Sequence, residues 1–368
     1  MTTPVPRAPA PGFADRVLAW WRSHGRKDLP WQRRPTPYRV WISEVMLQQT
    51  QVATVAPYFR RFVARFPGVR ALAGAPIDDV LAHWSGLGYY ARARNLHRAA
   101  GLVVARHRGR FPRSLEALTA LPGIGRSTAG AILSLACGQR AAILDGNVKR
   151  VICRHAGVAG WPGENAVQRE LWAIAEARLP EADFAAYTQA IMDLGATICT
   201  MREPACGACP VNEDCHAHAR GLTDALPAAR PRRALPQRSV VFVLARDRDC
   251  RVLLQRRPPA GVWGGLWGPP ECATPDEVPG RLARLGLSAT GPARTLAPVQ
   301  HTFSHFRLHI TPIVVDVAAV GADVVADAVD LRWIVPGIDP GVGLAAPVAR
   351  LVASCAWDTQ PPAREVTA

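Results

Sequence analysis

Residues 121–150, LPGIGRSTAGAILSLACGQRAAILDGNVKR, join a glycine-rich hairpin to an aspartate at the start of a helix. Gly123 and Gly125 predict a tight turn, and residues 126–136 predict the helix that follows it. Glycine lets backbone N–H groups converge, which is a shape that holds a phosphate. Asp145 ends the apolar run AAIL and precedes VKRVICRH, where an N-cap residue is expected. Alone, the stretch also fits a short interhelical turn followed by an ordinary capping aspartate.

The composition favours an anionic partner. The chain has 368 residues, of which 49% are hydrophobic, enough for two domains that each bury a core. Its formal net charge is +15. Residues 1–230 carry 29 Lys and Arg against 17 Asp and Glu, whereas residues 231–368 carry 15 against 12. We therefore expect the first part of the chain to bind a polyanion such as nucleic acid.

A helix predicted from Val40 to Phe59 carries a polar stripe. Glu44, Gln48 and Gln51 recur at i, i+4 and i+7, away from the apolar residues of the same segment. The amide run QQTQ is able to donate and accept hydrogen bonds at once, which suits base edges. A solvated surface charge is the alternative interpretation of Glu44.

The loop SGLGYYARARN separates two further predicted helices, Ile77–Trp84 and Ala91–His107. Tyr89 and Tyr90 stand among arginines in this loop. Aromatic side chains interleaved with arginines suit stacking on bases while phosphates are held. Packing of the tyrosines onto the protein core is the alternative.

Four of the nine cysteines lie close together in the pattern C-x6-C-x2-C-x5-C: Cys199, Cys206, Cys209 and Cys215. In a reducing compartment this pattern predicts a metal site rather than a disulfide framework. A single C-x-x-C with unequal outer spacings fits a cubane 4Fe–4S cluster better than paired zinc knuckles. Zinc and unligated cysteines are the alternatives.

The hydrophobic period changes after a stretch rich in alanine, arginine and proline. Beyond it, SVVFVLARD, CRVLLQRR, LHITPIVVDVAAV and DLRWIVP predict strands, and a closing helix is predicted near Ala345–Ala356. The predicted organisation is a flexible tail at 1–11, an all-helical domain at 12–218 with the cysteine loop at 199–215, a linker at 219–237, an α+β domain at 238–358 and a tail at 359–368.

Several motifs occur together in one order. With SEVMLQQTQV around Glu44, LPGIGRSTAGAI, LDGNVKR and the cysteine pattern, the chain resembles the helix-hairpin-helix DNA glycosylases that carry an iron–sulfur cluster. LPW, GLGYYARARNL, FSH and the added C-terminal domain make it similar to the MutY-type adenine DNA glycosylases, from about residue 12 to about residue 355. The resemblance implies a multidomain fold, an all-α helix-hairpin-helix glycosylase domain with an iron–sulfur loop followed by an α+β Nudix-like domain. It also implies a monomer that flips its target base out of double-stranded DNA.

The resemblance implies three catalytic residues. Glu44 matches the glutamate that protonates the adenine leaving group, Asp145 the aspartate that stabilises the oxocarbenium-like sugar, and Asn147 a nearby orienting asparagine. Cleavage of an N-glycosidic bond needs an acid on the base and a negative charge beside the sugar. We therefore predict that Glu44 holds a proton near neutral pH and that Asp145 stays ionised.

The resemblance also implies contacts with DNA. The hairpin from Leu121 through Gly123 to Gly125 holds the DNA backbone, and Lys149 adds a phosphate contact. The remaining assignments are Gln49 for insertion into the base stack, Tyr89 for a wedge beside the lesion, Trp31 and Gln189 for the adenine pocket, and Phe303, Ser304 and His305 for recognition of 8-oxoguanine.

Ser127 distinguishes two kinds of glycosylase. In the related enzymes that also cut the strand, a lysine follows G-x-G-R, and here the residue is Ser127. We therefore predict a monofunctional hydrolase. Hydrolysis of nucleoside diphosphates by the second domain is disfavoured, because the stretch after Glu271, CATPDEVPGRLARLGL, lacks the repeated glutamates of a metal-binding helix.

These observations predict excision of adenine opposite 8-oxoguanine or guanine in duplex DNA, as a step of base excision repair. The alternatives are an endonuclease III-like glycosylase and lyase for damaged pyrimidines, and a non-catalytic DNA-binding module that senses redox state. No apolar run reaches the length of a membrane span, and the N-terminus lacks a signal-peptide core. We therefore expect a cytoplasmic protein, associated with the bacterial nucleoid, with no membrane contact.

Overall fold

The chain forms two compact units. The computed structural model describes residues 12–231, 234–303, 305–320 and 330–354. One unit comprises Met1–Gly74 with Asn95–Arg232, and the other comprises Ala75–Arg94 with Arg233–Ala368. The two predicted tails and Ser304 lie outside the described residues.

The first unit is helical and the second mixes helices with a sheet. None of the described helices is long and apolar enough to cross a membrane. The helices are, in chain order, α1 (Phe13–His24), α2 (Pro37–Leu47), α3 (Val52–Arg65), α4 (Val69–Gly74), α5 (Ile77–Trp84), α6 (Ala91–His107), α7 (Leu115–Thr119), α8 (Arg126–Ala131), α9 (Gly146–Ala156), α10 (Asn165–Ala177), α11 (Phe184–Thr197), α12 (His216–Ala219), α13 (Val278–Arg284) and α14 (Ala346–Ser354).

The helix predicted from Val40 to Phe59 is wrong. Two helices, α2 and α3, occupy this segment, and a turn separates them. Gln49 in the turn has φ of +57°, a left-handed conformation that ends a right-handed helix. Glu44 and Gln51 therefore do not share one helix face. A run of residues without strong helix breakers concealed this turn in the sequence.

The core of the first unit forms where α1, α9, α10 and α11 pack together. Its fully buried side chains include Val17, Ile152, Leu171 and Leu194. The predicted helix at 126–136 is α8 followed by a π-helical turn, Ile132–Ala136. Ser134 lies in this turn, and its hydroxyl donates to the Phe184 carbonyl oxygen at 2.9 Å, which links the turn to the start of α11. This hydrogen bond ties the helix that follows the hairpin to α11, which shares a core with α9.

The sheet of the second unit is built around one parallel pair of strands. The strands are β1 (Gln237–Arg246), β2 (Val252–Arg256), β3 (Trp267–Gly268), β4 (Glu271–Cys272), β5 (Leu287–Ala289), β6 (Arg294–Thr295), β7 (Val299–Thr302), β8 (Arg307–Ala319) and β9 (Leu331–Ile334). The order of the main path is β3-β2-β1-β8-β5, with β1 and β8 parallel and the other pairs antiparallel.

The longest strands read as continuous apolar runs because they are buried on both faces. Val241 to Ala245 of β1 are all buried. Helix α13 covers one face with Val278 and Leu282. The predicted α+β character of this part is confirmed, and its four predicted strands correspond to β1, β2, β8 and β9.

Candidate active site

In the hairpin of residues 121–125, the backbone conformation and packing require glycine at position 123, whereas Gly125 leaves open space beside the backbone. Gly123 has φ of +78°, and a Cβ atom there would lie 2.8 Å from the Cβ of Asn95. Gly125 is the N-cap of α8, and a Cβ there would meet nothing within 4 Å. The first N–H groups of a helix lack partners within it, so Gly125 leaves open space in front of them. Leu121 is buried and anchors the hairpin.

Asp145 is the N-cap of α9, as the sequence predicts. Its Oδ1 accepts a hydrogen bond from the backbone N–H of Val148 at 2.8 Å. Burial raises the pKa of the Asp145 carboxyl, while the Val148 N–H and the Arg150 guanidinium oppose this rise. The direction is opposite to that expected of an N-cap carboxylate in water, because desolvation outweighs the cap.

Ser127 has a structural contact beside Asp145. Its Oγ accepts a hydrogen bond at 3.0 Å from the backbone N–H of Leu144. Gly130 packs one turn further along α8, where a Cβ would lie 2.1 Å from the carbonyl oxygen of Ala142. The hairpin helix therefore lies directly against the segment that leads into Asp145, and the two halves of the opening stretch are held together.

Glu44 lies on α2, which packs against α8 and the π-helical turn. The residue keeps some accessible surface, yet protein atoms crowd its carboxyl group. Burial, with the nearby charge of Asp145, raises the pKa of Glu44 to about 8. At pH 7 Glu44 is therefore mostly protonated. The interaction with Asp145 couples two carboxyls that are a hundred residues apart in the sequence.

Arg150 connects the catalytic segment to the cysteine loop, and sequence reasoning gave it no role. Its guanidinium donates to the Asn147 Oδ1 at 2.9 Å, to the Gly195 carbonyl oxygen at 2.5 Å and to the Cys199 carbonyl oxygen at 2.7 Å. Gly195 is required by this packing, since its Cβ would lie 2.6 Å from the Cβ of Asn147. The only signal in the sequence is weak, a basic residue five positions after a capping aspartate.

The four clustered cysteines line one recess of the first unit. Among the residues that the structure describes, no three His, Cys, Asp or Glu side chains converge closely enough to hold a single metal ion. A cubane cluster places each cysteine on a different iron, so its ligands stand farther apart than those of one ion. Arg154 directs a guanidinium N–H to the Cys199 Sγ at 3.5 Å, which places a cation beside the sulfur ligands. The donor set fits a four-cysteine cluster.

The remaining predicted residues of the first unit differ in exposure. Gln49 is exposed and left-handed, and Lys149 is partly exposed. Trp31 is buried and packs edge-on against Phe59, with ring centroids 5.7 Å apart. Gln189 is buried, and its amide donates to the Asp193 carboxylate at 2.9 Å.

Asp193 organises the surroundings of Gln189. It is fully buried and accepts hydrogen bonds from the indole of Trp21 at 2.9 Å and from the guanidinium of Arg26 at 2.6 Å. Gln189 is therefore held at a fixed position on α11. The structure gives it a structural partner in addition to the predicted pocket role.

A cavity of about 610 Å³ lies in the second unit. Tyr89, predicted as a wedge beside the lesion, lines it together with Phe303 and His305, which are predicted for recognition of 8-oxoguanine. Tyr89 has φ of +48° and is 52% exposed. Two residues without a predicted role, Trp263 and His301, also line the cavity. The structure therefore brings the tyrosine loop and the FSH loop to one place.

Comparison with known proteins gives matches for both parts of the chain. A family model described as the HhH-GPD superfamily base excision DNA repair protein matches residues 42–177. A NUDIX domain model matches residues 240–354.

Similar proteins cover most of the chain. The adenine DNA glycosylase of Buchnera aphidicola subsp. Acyrthosiphon pisum (strain APS) is 38% identical over 303 residues, which cover 82% of this chain and 86% of that protein. The adenine DNA glycosylase of Homo sapiens is 37% identical over 358 residues, with 80% and 65% of the two chains covered. Among solved structures, a thermostable thymine-DNA glycosylase superposes with a TM-score of 0.52 at 30% identity, covering 56% of this chain and 95% of that one.

Proposed function

The chain belongs to the adenine DNA glycosylase family, and from this premise we propose that it removes adenine paired with 8-oxoguanine or guanine in duplex DNA by hydrolysis of the N-glycosidic bond. One observation carries the proposal: two carboxyls in the helical unit interact, and the first of them, Glu44, has a pKa raised to about 8. A protonated carboxyl beside a hydrogen-bonded carboxylate is what this reaction requires.

The two carboxyls take different roles because their surroundings differ. Glu44 is destabilised as an anion by burial and by Asp145, so it keeps the proton that an adenine leaving group needs. Burial raises the pKa of Asp145, but the Val148 N–H and the charges of Arg150 and Lys149 oppose this rise and favour its charged form. Its charge then stabilises the positive charge that develops on the sugar. Asn147, fixed by Arg150, orients groups beside Asp145.

The hairpin supplies position rather than chemistry. The backbone N–H groups at Gly123 and Gly125 hold a phosphate of the DNA backbone, and Lys149 adds a charge. Trp31 and Gln189 border the flipped adenine, and Gln49 fills the base stack. Ser127, where a strand-cutting relative has lysine, bonds to the backbone of Leu144, so no amine nucleophile is available there. The product is an abasic site in an intact strand.

Cys199, Cys206, Cys209 and Cys215 hold a 4Fe–4S cluster in this proposal. A cluster bound there supplies structural cross-linking of the loop and takes no part in the hydrolysis. Arg154 supports the same loop, because it donates to the carbonyl oxygens of Thr200 at 2.6 Å and Met201 at 3.0 Å. Visible absorbance and iron content of the purified protein test the assignment, and stoichiometric zinc would contradict it.

The second unit recognises the base opposite the adenine. Support comes from the single cavity that Tyr89, Phe303 and His305 line. Helix α13, VPGRLAR, contains no glutamate, so the metal-binding helix that nucleotide hydrolysis needs is replaced by a basic one. Recognition rather than hydrolysis is the role that fits this unit. The protein acts as a monomer on double-stranded DNA.

One assay tests the proposed function. Duplexes with adenine opposite 8-oxoguanine, adenine opposite guanine, and thymine glycol opposite adenine are incubated with the protein, and strand breaks are scored with and without alkali. We expect alkali-dependent breaks on the adenine strand alone, and faster ones opposite 8-oxoguanine. Breaks on the thymine glycol strand, or breaks without alkali, would point to the endonuclease III-like alternative. Binding without excision would point to the non-catalytic module.

A further inference from the structure

One wall of the cavity in the second unit is a tryptophan that no motif singles out. Trp263 lies in the glycine run GVWGGLWG, residues 261–268, in the segment between β2 and β3. It lines the cavity of about 610 Å³ together with Tyr89, His301 and Phe303. Its neighbour in the same glycine run, Trp267, lies on β3 and is 3% exposed. The two tryptophans therefore have different surroundings, cavity wall and core.

The backbone of Trp263 is strained. Eight non-glycine residues of the described chain have positive φ, and two of these are aromatic, Tyr89 at +48° and Trp263 at +53°. Both line the same cavity. A large side chain in the left-handed region persists only where its surroundings impose it, and such residues concentrate at ligand sites. The strained backbone therefore indicates a ligand contact at Trp263, as it does at Tyr89.

An arginine holds each of the two aromatic residues. The guanidinium of Arg92 lies 5.5 Å from the ring centroid of Tyr89 and donates to two carbonyl oxygens of the tyrosine loop, both at 3.2 Å. The guanidinium of Arg257 lies 5.3 Å from the ring centroid of Trp263 and donates to the Val262 carbonyl oxygen at 3.4 Å. A cation thus contacts each ring and also hydrogen-bonds to backbone carbonyl oxygens of the segment that carries that ring.

The tyrosine loop is hydrogen-bonded to the Trp263 segment and to a third segment of the same unit. Arg94 donates to the carbonyl oxygen of Gly264, next to Trp263, at 2.6 Å. Tyr90, next to Tyr89, donates its hydroxyl to the Leu344 carbonyl oxygen at 2.7 Å. These bonds hold the tyrosine loop in place before any ligand binds, and the Arg94 bond ties it to the Trp263 segment, which lowers the cost of ordering the two side chains.

The rest of this wall is also aromatic. The ring centroid of Trp263 is 5.4 Å from that of His301 and 5.5 Å from that of Phe303. Burial lowers the pKa of His301, with Arg350 contributing, which favours the neutral imidazole. Flat and uncharged ring faces suit a flat heteroaromatic ligand.

We infer that Trp263 is a stacking residue for the oxidised purine opposite the excised adenine, 8-oxoguanine, when that base occupies this cavity, and that it lines the recognition cavity together with Tyr89. The inference rests on the proposed function. It assigns the preference for the oxidised purine to a residue outside the FSH loop. Because stacking needs a π face, a phenylalanine should replace Trp263 far better than an aliphatic residue of similar bulk.

Single-turnover excision rates test the inference. Full-length wild type, Trp263→Phe and Trp263→Leu are compared on adenine opposite 8-oxoguanine and adenine opposite guanine. The expected loss of preference for the 8-oxoguanine duplex in Trp263→Leu is roughly 5- to 150-fold, the range measured for removal of one stacked base contact. The rate on the guanine duplex should stay within about threefold, because the carboxyls lie in the other unit. Trp263→Phe should keep most of the preference.

Trp267→Phe is the matched control, since it changes a tryptophan of the same glycine run that lies in the core. Its preference should equal that of the wild type. Equal preferences in Trp263→Leu and Trp263→Phe, or an equal loss in Trp267→Phe, would overturn the assignment. A wild-type protein that excises adenine equally fast from the 8-oxoguanine and guanine duplexes would instead refute the recognition role of the whole cavity. That outcome is measured on the wild type alone, so it is distinguishable from a failure of the Trp263 assignment.

Discussion

The catalytic centre of the helical unit and the aromatic cavity of the second unit work by different physics. In the first, burial and the nearby charge of Asp145 raise the pKa of Glu44 to about 8. In the second, rings with centroids about 5 Å apart line a wall whose histidine, His301, has a lowered pKa. Catalysis in the first region thus depends on the protonation states of two carboxyls, and recognition in the second depends on the positions of aromatic rings. Changes in one region should leave the property of the other intact.

The largest expected effect is that of Glu44→Gln. Loss of the general acid should slow adenine excision by roughly 10²- to 10⁴-fold, measured under single-turnover conditions on the guanine duplex. The exposed Glu116 of α7 provides the matched control, Glu116→Gln, which should be silent. Near-normal excision by Glu44→Gln would show that Glu44 is not the general acid and would contradict the proposed mechanism.

The next effect is that of Asp145→Asn. An amide cannot supply the negative charge beside the sugar, so the excision rate should fall by roughly 10²- to 10³-fold. Asp183, the N-cap residue of α11, makes no side-chain cap, and Asp183→Asn should keep the wild-type rate. If Asp145→Asn lost only stability, with its rate restored at lower temperature, Asp145 would be a cap and nothing more.

A smaller and graded effect is expected from pH. Glu44 must be protonated to act, and its pKa is raised to about 8, so the excision rate should fall about tenfold per pH unit above that value. On the acid side the rate should fall again where Asp145, whose pKa is also raised by burial, gains a proton. The protein lacking the Trp263 ring should show the same profile, because that cavity holds neither carboxyl. A profile that rises with pH through 8 would assign Glu44 as a base instead.

The smallest effect is that of Ser127→Ala, which tests the link between the hairpin and Asp145. Loss of the hydrogen bond from the Leu144 N–H should cost about 1 kcal/mol, or roughly 2–4 °C in Tm for a unit of this size. Thr119→Ala removes a hydroxyl that bonds to carbonyls of its own helix on the surface and should change stability by less than about 0.5 kcal/mol. An equal Tm for both variants would mean that the Ser127 bond contributes nothing.

Local patterns predicted the elements that depend on local forces. The bounds of α5 and α6 agree with the sequence prediction, because apolar residues recur with helical period and glycines bound the loop between them. The turn at Gln49 was missed because the conformation of one residue, φ of +57°, interrupts an otherwise continuous pattern. The left-handed conformation of Trp263 could not be predicted from the sequence either, because glycine is the residue that ordinarily occupies such a position.

The sequence by itself determined the fold class, the family resemblance and the chemical groups available: two carboxyls, four spaced cysteines and a serine in place of a lysine. Only the tertiary structure decided how these groups behave. Glu44 and Asp145 are a hundred residues apart in the chain, and the raised pKa of Glu44 arises from burial and from their proximity. Arg150 joins Asn147 to the cysteine loop, and Trp263 meets the cavity of Tyr89. Desolvation and long-range contact depend on how distant segments pack, so no window of neighbouring residues contains that information.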